Sequence, residues 1–332
     1  MRIFISSIIS LAILALYAPS IMAQTLVVGN KREHTVSFID LKSGTEYARA
    51  KTGKSPHEIA VSPDGKTAVV VSYRGPLFTG NKLHLFDIAS GEKTGVVDLG
   101  DNKAPHGLKW VPGTNRVMGT TESSQSAFLA DVAEMKLVGS AKTEQQGSHM
   151  VALAPDHQTA YVANINSGSF TVIDMKTFDK VKDVKAGEGT EAIAVSPDGR
   201  QIWVGNNNSK SIMIFDTESL KKQHEIKTEG IPIRVEISPD GQSIAVSEPD
   251  LSRVRIYDAK TYTPITSIDL SDADAKVPVT LLFAPDGTNL WVACTGSAKV
   301  VEVDTSNWSI IRSFAAGEGS DGLGYSPLKR VP

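Results

Sequence analysis

The stretch "SPHEIAVSPDG", residues 55–65, decides the fold. Ile59, Ala60 and Val61 form a short apolar run that reads as a strand. Pro63-Asp64-Gly65 is turn chemistry, with Pro presetting φ and Gly tolerating φ > 0. His57 stands immediately before the run. The same pattern returns along the chain: "VALAPDH" at 151–157, "IAVSPDG" at 193–199, "VEISPDG" at 235–241 and "LLFAPDG" at 281–287. "LKWVPGT" at 108–114 and "LGYSPLK" at 323–329 are weaker copies. The turn prolines are Pro63, Pro112, Pro155, Pro197, Pro239, Pro285 and Pro327, spaced by 49, 43, 42, 42, 46 and 42 residues.

A second register gives the same count. An apolar segment ends in Asp at Asp40, Asp87, Asp131, Asp174, Asp216, Asp258 and Asp304, alternating with the prolines. A period in the low forties with four strand-like segments per unit indicates a β-propeller blade. The fold class is therefore all-β, a seven-bladed propeller. In the unit holding Pro63 the four strands, innermost first, are expected at 57–61, 67–72, 83–87 and 94–99. The last unit offers only one strand, 321–325. "TLVVGN", "TVSFID" and "TEYARAK" from the N-terminal side supply the other three, so the ring closes and leaves no open sheet at the seam.

Composition sets the outer bounds. The chain of 332 residues is 41% hydrophobic and 21% charged, with a formal net charge of −3. It has enough apolar content to fold, and the balance argues against general nucleic-acid binding. Residues 1–23 carry a charged start, an apolar run from Ile3 to Tyr17, a break at Pro19-Ser20 and the small Ala23. This reads as a secretory signal peptide cleaved after Ala23, giving a periplasmic or secreted protein without a membrane anchor in its mature form. Residues 24–332 are expected to form one domain. Removing Arg2 leaves 33 basic and 37 acidic residues, a mature charge of −4. Cys294 is the only cysteine, so no internal disulfide forms, and its expected role is packing.

The repeat resembles the YVTN-repeat, or YncE-like, family of seven-bladed propellers. The resemblance rests on the seven Pro turns and on "YVANINSGSFTVID" at 161–174, "WVGNNNSKSIMIFD" at 203–216 and "WVACTGSAKVVEVD" at 291–304. It implies the fold over residues 24–332 and leaves the function open, because one fold hosts many functions.

Propeller connections between blades and between the second and third strands lie on one face, here called the top. His57 opens its innermost strand at the top mouth of the central channel. Counting six residues back from each turn proline gives the equivalent ring: His57, His106, His149, Glu191, Ile233, Val279 and Asp321. Three of the chain's seven histidines fall on consecutive blades, with a carboxylate next. Such a donor set suits Zn²⁺, Mn²⁺, Fe²⁺ or Cu²⁺, so His57, His106, His149 and Glu191 are the candidate metal ligands. The bland alternative is a ring of polar residues bonded to loop backbone.

Two insertions lie beside this ring. One is "YRGPLFTG" at 73–80, expected as a loop between second and third strands. The other is "SDADAKVP" at 271–278, expected as an inter-blade loop. Loops carried on a rigid scaffold are where binding concentrates. Tyr73, Arg74, Glu122, Arg234, Glu248 and Asp321 are the expected ligand contacts, since nothing in the repeat requires them. Asn30, Asn164 and Asn206 end second strands and are expected to be structural, as are the seven strand-ending aspartates. Trp203 and Trp291 are expected to pack between blades. Gly317 to Gly322 matches G-x-G-x-x-G but precedes no helix, so no nucleotide site is expected; no haem motif is present.

Two readings follow. One is an exported binding or scaffold protein that holds a small molecule, peptide or protein at the top mouth. The other is a lactonase-like, metal-dependent hydrolase or lyase, with Glu58, Glu122 or Glu248 as the available general bases.

Overall fold

The computed structural model describes residues 24–328. The signal-peptide expectation for residues 1–23 lies outside them. Seven four-stranded antiparallel sheets form the chain, and no α-helix occurs among the described residues. Six blades are contiguous in sequence. The remaining one joins the chain ends: Ser320–Ser326 is its innermost strand, followed by Thr25–Asn30, Thr35–Asp40 and Thr45–Lys51. Thr25 pairs with Ser326 and Val28 with Leu323, antiparallel, so the ring is closed as the repeat predicts. This closing blade is blade 1; the others are numbered along the chain.

Side-chain alternation builds the core. Leu26 and Val28 pack with Trp291, Ala293 and Val300 of blade 7, whereas Val27, between them, packs with Ile59, Val70 and Phe86 of blade 2. Each strand feeds the layers on both its sides, as its two-residue period dictates. Trp203 and Trp291 are buried in two of these layers, as expected.

The bottom turns repeat one local solution. Asp87 Oδ1 accepts the Ser90 N–H at 2.8 Å, Asp216 the Ser219 N–H at 2.7 Å and Asp304 the Ser306 N–H at 2.8 Å. These are Asx turns, in which the carboxylate replaces a backbone acceptor. Asn30 and Asn206 serve the top face. Their side-chain oxygens accept the N–H groups of Gly317 and Gly187 at 2.9 and 3.0 Å, tying each second strand to the incoming loop.

The first insertion differs from the loop expected, and the second is the expected inter-blade connection with a buried part. Residues 73–80 continue the two strands: Thr67–Gly75 and Phe78–Asp87 pair out to Gly75↔Phe78, leaving a two-residue tip at Pro76-Leu77. Residues 271–278 overlap the short 3-10 turn Leu270–Ala273, and Leu270 and Ala275 are fully buried between blades 6 and 7. That insertion belongs partly to the core.

Candidate functional site

The ring residues reach the channel because their strands bulge. In blade 2, Pro56 pairs with Ser72 and Ile59 with Val70, so His57 and Glu58 together oppose Val71. Blades 3, 4 and 7 repeat this at His106-Gly107, His149-Met150 and Val279-Thr280. A bulge takes residues out of the ladder and re-aims their side chains. Each first bulged residue belongs to the ring counted from the sequence, and the second forms a layer next to it. At two such positions only glycine fits: a Cβ on Gly107 would lie 2.6 Å from the His149 carbonyl, and one on Gly322 1.8 Å from that of His57.

The three imidazoles form a row, with His106 in contact with both others. The centroids of His57 and His106 lie 4.8 Å apart, and His106 stacks on His149 at 3.6 Å with 27° between planes. They are 7%, 5% and 8% exposed, so the cluster is close to dry. His149 Nδ1 lies 2.5 Å from Glu122 Oε1, and its Nε2 lies 3.3 Å from Glu191 Oε1. Burial opposes its charge, but Glu191 and Glu122 outweigh that and push its pKa up to about 9. Burial likewise works against ionisation of Glu122, yet His149, Tyr73 and Arg74 hold it at about 2. Between them these groups hold a protonated imidazole between two carboxylates.

His106 is the opposite case. Burial drives its pKa well below the ordinary value, and the charges of His149 and Arg234 drive it further. Its Nδ1 is buried without a partner. His57 is also held neutral, chiefly by burial; Ser55 O lies 3.1 Å from its Nδ1 and Asp321 4.0 Å from its Nε2. Asp321 in turn takes Lys31 Nζ at 2.7 Å.

Beside the ring, Arg234 crosses the channel. Its Nη2 meets Glu58 at 2.6 Å and Thr280 at 3.1 Å, and its Nη1 meets Met150 Sδ at 2.9 Å. Its Nε is buried and unpartnered. Glu58 is thus an ion-pair partner rather than a free base.

Most expected ligand contacts do converge here. Tyr73, Arg74 and Glu122 form one group: the Tyr73 phenol donates to Glu122 Oε2, which also meets Arg74 Nη2 at 2.8 Å. Glu248 does not join them. It is fully buried, accepts the Gly230 N–H at 3.2 Å and pairs with Arg253 at 2.5 Å, doing for blade 6 what Asn206 does for blade 5. Cys294 is buried, and burial pushes its thiol up to about 12, so it is a packing residue and no nucleophile.

Two functional-layer residues escape the sequence reading: Lys31, on Asp321, and Asn207, whose amide donates to Glu191. Both directly follow a position read from the sequence as the end of a second strand, as do Tyr73 and Glu122. Aligning that position across the repeat would have found all four.

In this arrangement the expected metal ligands already have other partners. His149 has committed both nitrogens to carboxylates, and His57 Nδ1 faces a carbonyl. The His106 and His149 rings stack with 27° between planes, and His57 is tilted by 59° to His106. Among the described residues no group of three or more His, Cys, Asp or Glu is placed to hold a metal. The expected His57–His106–His149–Glu191 ligand set is thus engaged in other contacts in this conformation.

Comparison with known proteins agrees on the fold. A family model described as "Lactonase, 7-bladed beta-propeller" matches residues 175–283, about a third of the chain. Hydrazine synthase from Kuenenia stuttgartiensis is similar in structure, with a TM-score of 0.75 at 19% identity over 85% of this chain and 92% of that one. The periplasmic gluconolactonase PpgL from Pseudomonas aeruginosa gives 0.73 at 18% identity, over 91% and 99%. At such identities the likeness concerns the fold alone. No curated protein matches. The resemblance to the YVTN-repeat family rests on the sequence features. No helix among the described residues is long and apolar enough to cross a membrane.

Proposed function

We propose that the protein is an exported β-propeller whose top mouth binds a small oxygen-rich molecule and opens a lactone ring there. The observation that carries this is a set of three unpartnered buried polar atoms among the mouth residues, His106 Nδ1, Arg234 Nε and Asn207 Oδ1. Buried polar groups find partners in nearly all folded proteins, and unmet groups gathered in a channel support a polar ligand there. The N-terminal 23 residues support export, and the partial lactonase match supports the reaction class.

The chemistry needs no metal. His106 is neutral and adjacent to a protonated His149, so two identical side chains are held in opposite states by their surroundings. His106 Nδ1 accepts a proton from water as the water oxygen attacks the lactone carbonyl. The Arg234 Nε–H donates to the carbonyl oxygen as it gains negative charge. The ring C–O bond then breaks, the leaving oxygen takes the proton from His106, and a hydroxy acid results.

The test is hydrolysis of a panel of five- and six-membered lactones by the mature protein, with isothermal titration of the product hydroxy acids. His106→Ala should lower turnover at least about a hundredfold, as loss of a general base does, with the melting transition retained. Equal turnover in wild type and variant would refute the assignment. A binding role without turnover is favoured by one observation: Tyr73 lies across His57 and His106, with ring centroids 4.3 and 4.8 Å away. Product-acid binding with no lactone turnover would select it.

A further inference from the structure

The hairpin that lengthens blade 2 is the largest departure from the repeat, and its one inward-facing side chain is Tyr73. The ladder is regular to Ser72↔Lys82 and resumes at Arg74↔Thr79, so Tyr73 sits in the irregularity between them. Gly80 makes that possible: a Cβ there would lie 1.9 Å from Ser72 O and 2.5 Å from Tyr73 O. The Tyr73 ring covers His57 and His106, and its hydroxyl reaches blade 3 at Glu122. Arg74 Nε also donates to the Tyr73 oxygen at 2.8 Å while its Nη2 meets Glu122, clamping phenol and carboxylate together.

We infer that Tyr73 is an access-determining residue of the mouth: anchored on Glu122, its ring closes over His57 and His106, and a ligand reaches them by displacing the phenol from Glu122. Glu122 is buried and already holds His149. Removing the phenol without replacement takes one of two donors from the buried Glu122 Oε2 and leaves only Arg74 Nη2, which is costly. A molecule bearing its own hydroxyl or N–H donor restores that bond; one without a donor does not. The gate thus favours ligands with a donor set beside the group that approaches His106. The ligand part of this inference rests on reading the mouth as a binding site; the cover itself does not.

The experiment therefore begins without ligand. Diethyl pyrocarbonate modifies unprotonated imidazoles, and the rate at each histidine of the mature protein is read by peptide mass spectrometry. The exposed His157 and His224 report the reagent's activity and the integrity of the fold. In wild type, His57 and His106 should react far more slowly than these two. Tyr73→Ala should raise the rates at His57 and His106 by about tenfold or more, the size expected when a charge-assisted hydrogen bond holding a closed state is lost. Tyr73→Phe keeps the ring and its packing but loses the anchor, so it should raise both rates as well, while His157 and His224 stay unchanged. It remains readable if Tyr73→Ala disturbs the fold. Wild-type rates at His57 and His106 in Tyr73→Phe would overturn the anchored gate. If these changes appear and no lactone or hydroxy acid is bound, the cover stands and the proposed function fails.

Discussion

The bottom and top faces of this propeller handle charge in opposite ways. At the bottom, strand-ending aspartates accept N–H groups two or three residues ahead, and the device recurs from blade to blade. At the top, blades 2, 3 and 4 each present a histidine, yet each histidine meets different partners, and the strongest pairs join different blades: Arg234 of blade 6 holds Glu58 of blade 2, and Glu122 of blade 3 holds His149 of blade 4. Repeated local satisfaction builds a scaffold whose blades are interchangeable. Unrepeated satisfaction across blades ties the blades to one arrangement around one site. The difference separates what the repeat needs from what it carries.

The sharpest way to break this comparison is to remove a cross-channel partner. Arg234→Ala leaves Glu58 buried without its cation, and unpairing a buried ion pair costs about 3–5 kcal/mol. Equilibrium urea denaturation should show that loss. Replacing both partners, Arg234→Met with Glu58→Met, should recover most of it, because no uncompensated charge remains. Asp216→Ala on the bottom, in an exposed turn, should shift the same curve far less. Equal losses at the two sites would erase the distinction between the faces.

The next test uses pH. His149 binds its proton more tightly in the fold than in the unfolded chain. Its contribution is therefore complete below about pH 6.5, the ordinary imidazole value. It is lost as pH rises through about 9. His57 and His106 act the other way: kept neutral in the fold, they favour the unfolded chain as pH drops below the ordinary value. Melting temperature measured from neutral to alkaline pH should fall by several degrees in wild type and stay flatter in His149→Gln. An identical alkaline slope in the variant would mean that His149 is not held protonated between Glu122 and Glu191.

What the sequence made legible follows the same division. The seven Pro turns and seven strand-ending aspartates recur because each is a local requirement of backbone geometry. Blade count, strand order and ring closure could therefore be read from them. The mouth ring was legible by counting from those turns, which placed His57, His106, His149, Glu191 and Asp321 together. What they do there was not. The metal reading needs imidazoles on adjacent blades to converge on one point, and in this conformation His106 and His149 stack. Stacking depends on the bulge at each strand start and on Glu122 and Glu191 capturing His149 from either side. Arg234 and Glu58 lie 176 residues apart and meet only through the ring geometry. Glu248 looked free because the repeat does not call for glutamate there, yet it caps the same kind of loop N–H that asparagine caps elsewhere. The hairpin at 73–80 was visible as extra length, but its inward Tyr73 depends on the register shift that Gly80 permits.

The smallest expected effect concerns metal, and it sharpens the comparison most finely because it asks whether the top face is already satisfied. If Glu122 and Glu191 complete the coordination of His149 as hydrogen-bond acceptors, a divalent ion has to displace a proton held at about 9 and separate two stacked rings before it gains a third donor. That competition favours the proton at neutral pH. Protein stripped with EDTA and re-exposed to Zn²⁺, Mn²⁺, Fe²⁺ or Cu²⁺ should show a melting temperature within about a degree of the stripped protein, with lactone turnover unchanged. A ligand that binds only the folded state would raise it by mass action. A stoichiometric uptake with a rise of several degrees, absent from the His57→Ala/His106→Ala double variant, would show that the imidazoles unstack and converge on the ion. The buried charges would then be the resting state of a metal site. Ile233→Ala, in the same ring and without a donor, provides the control that neither outcome should move.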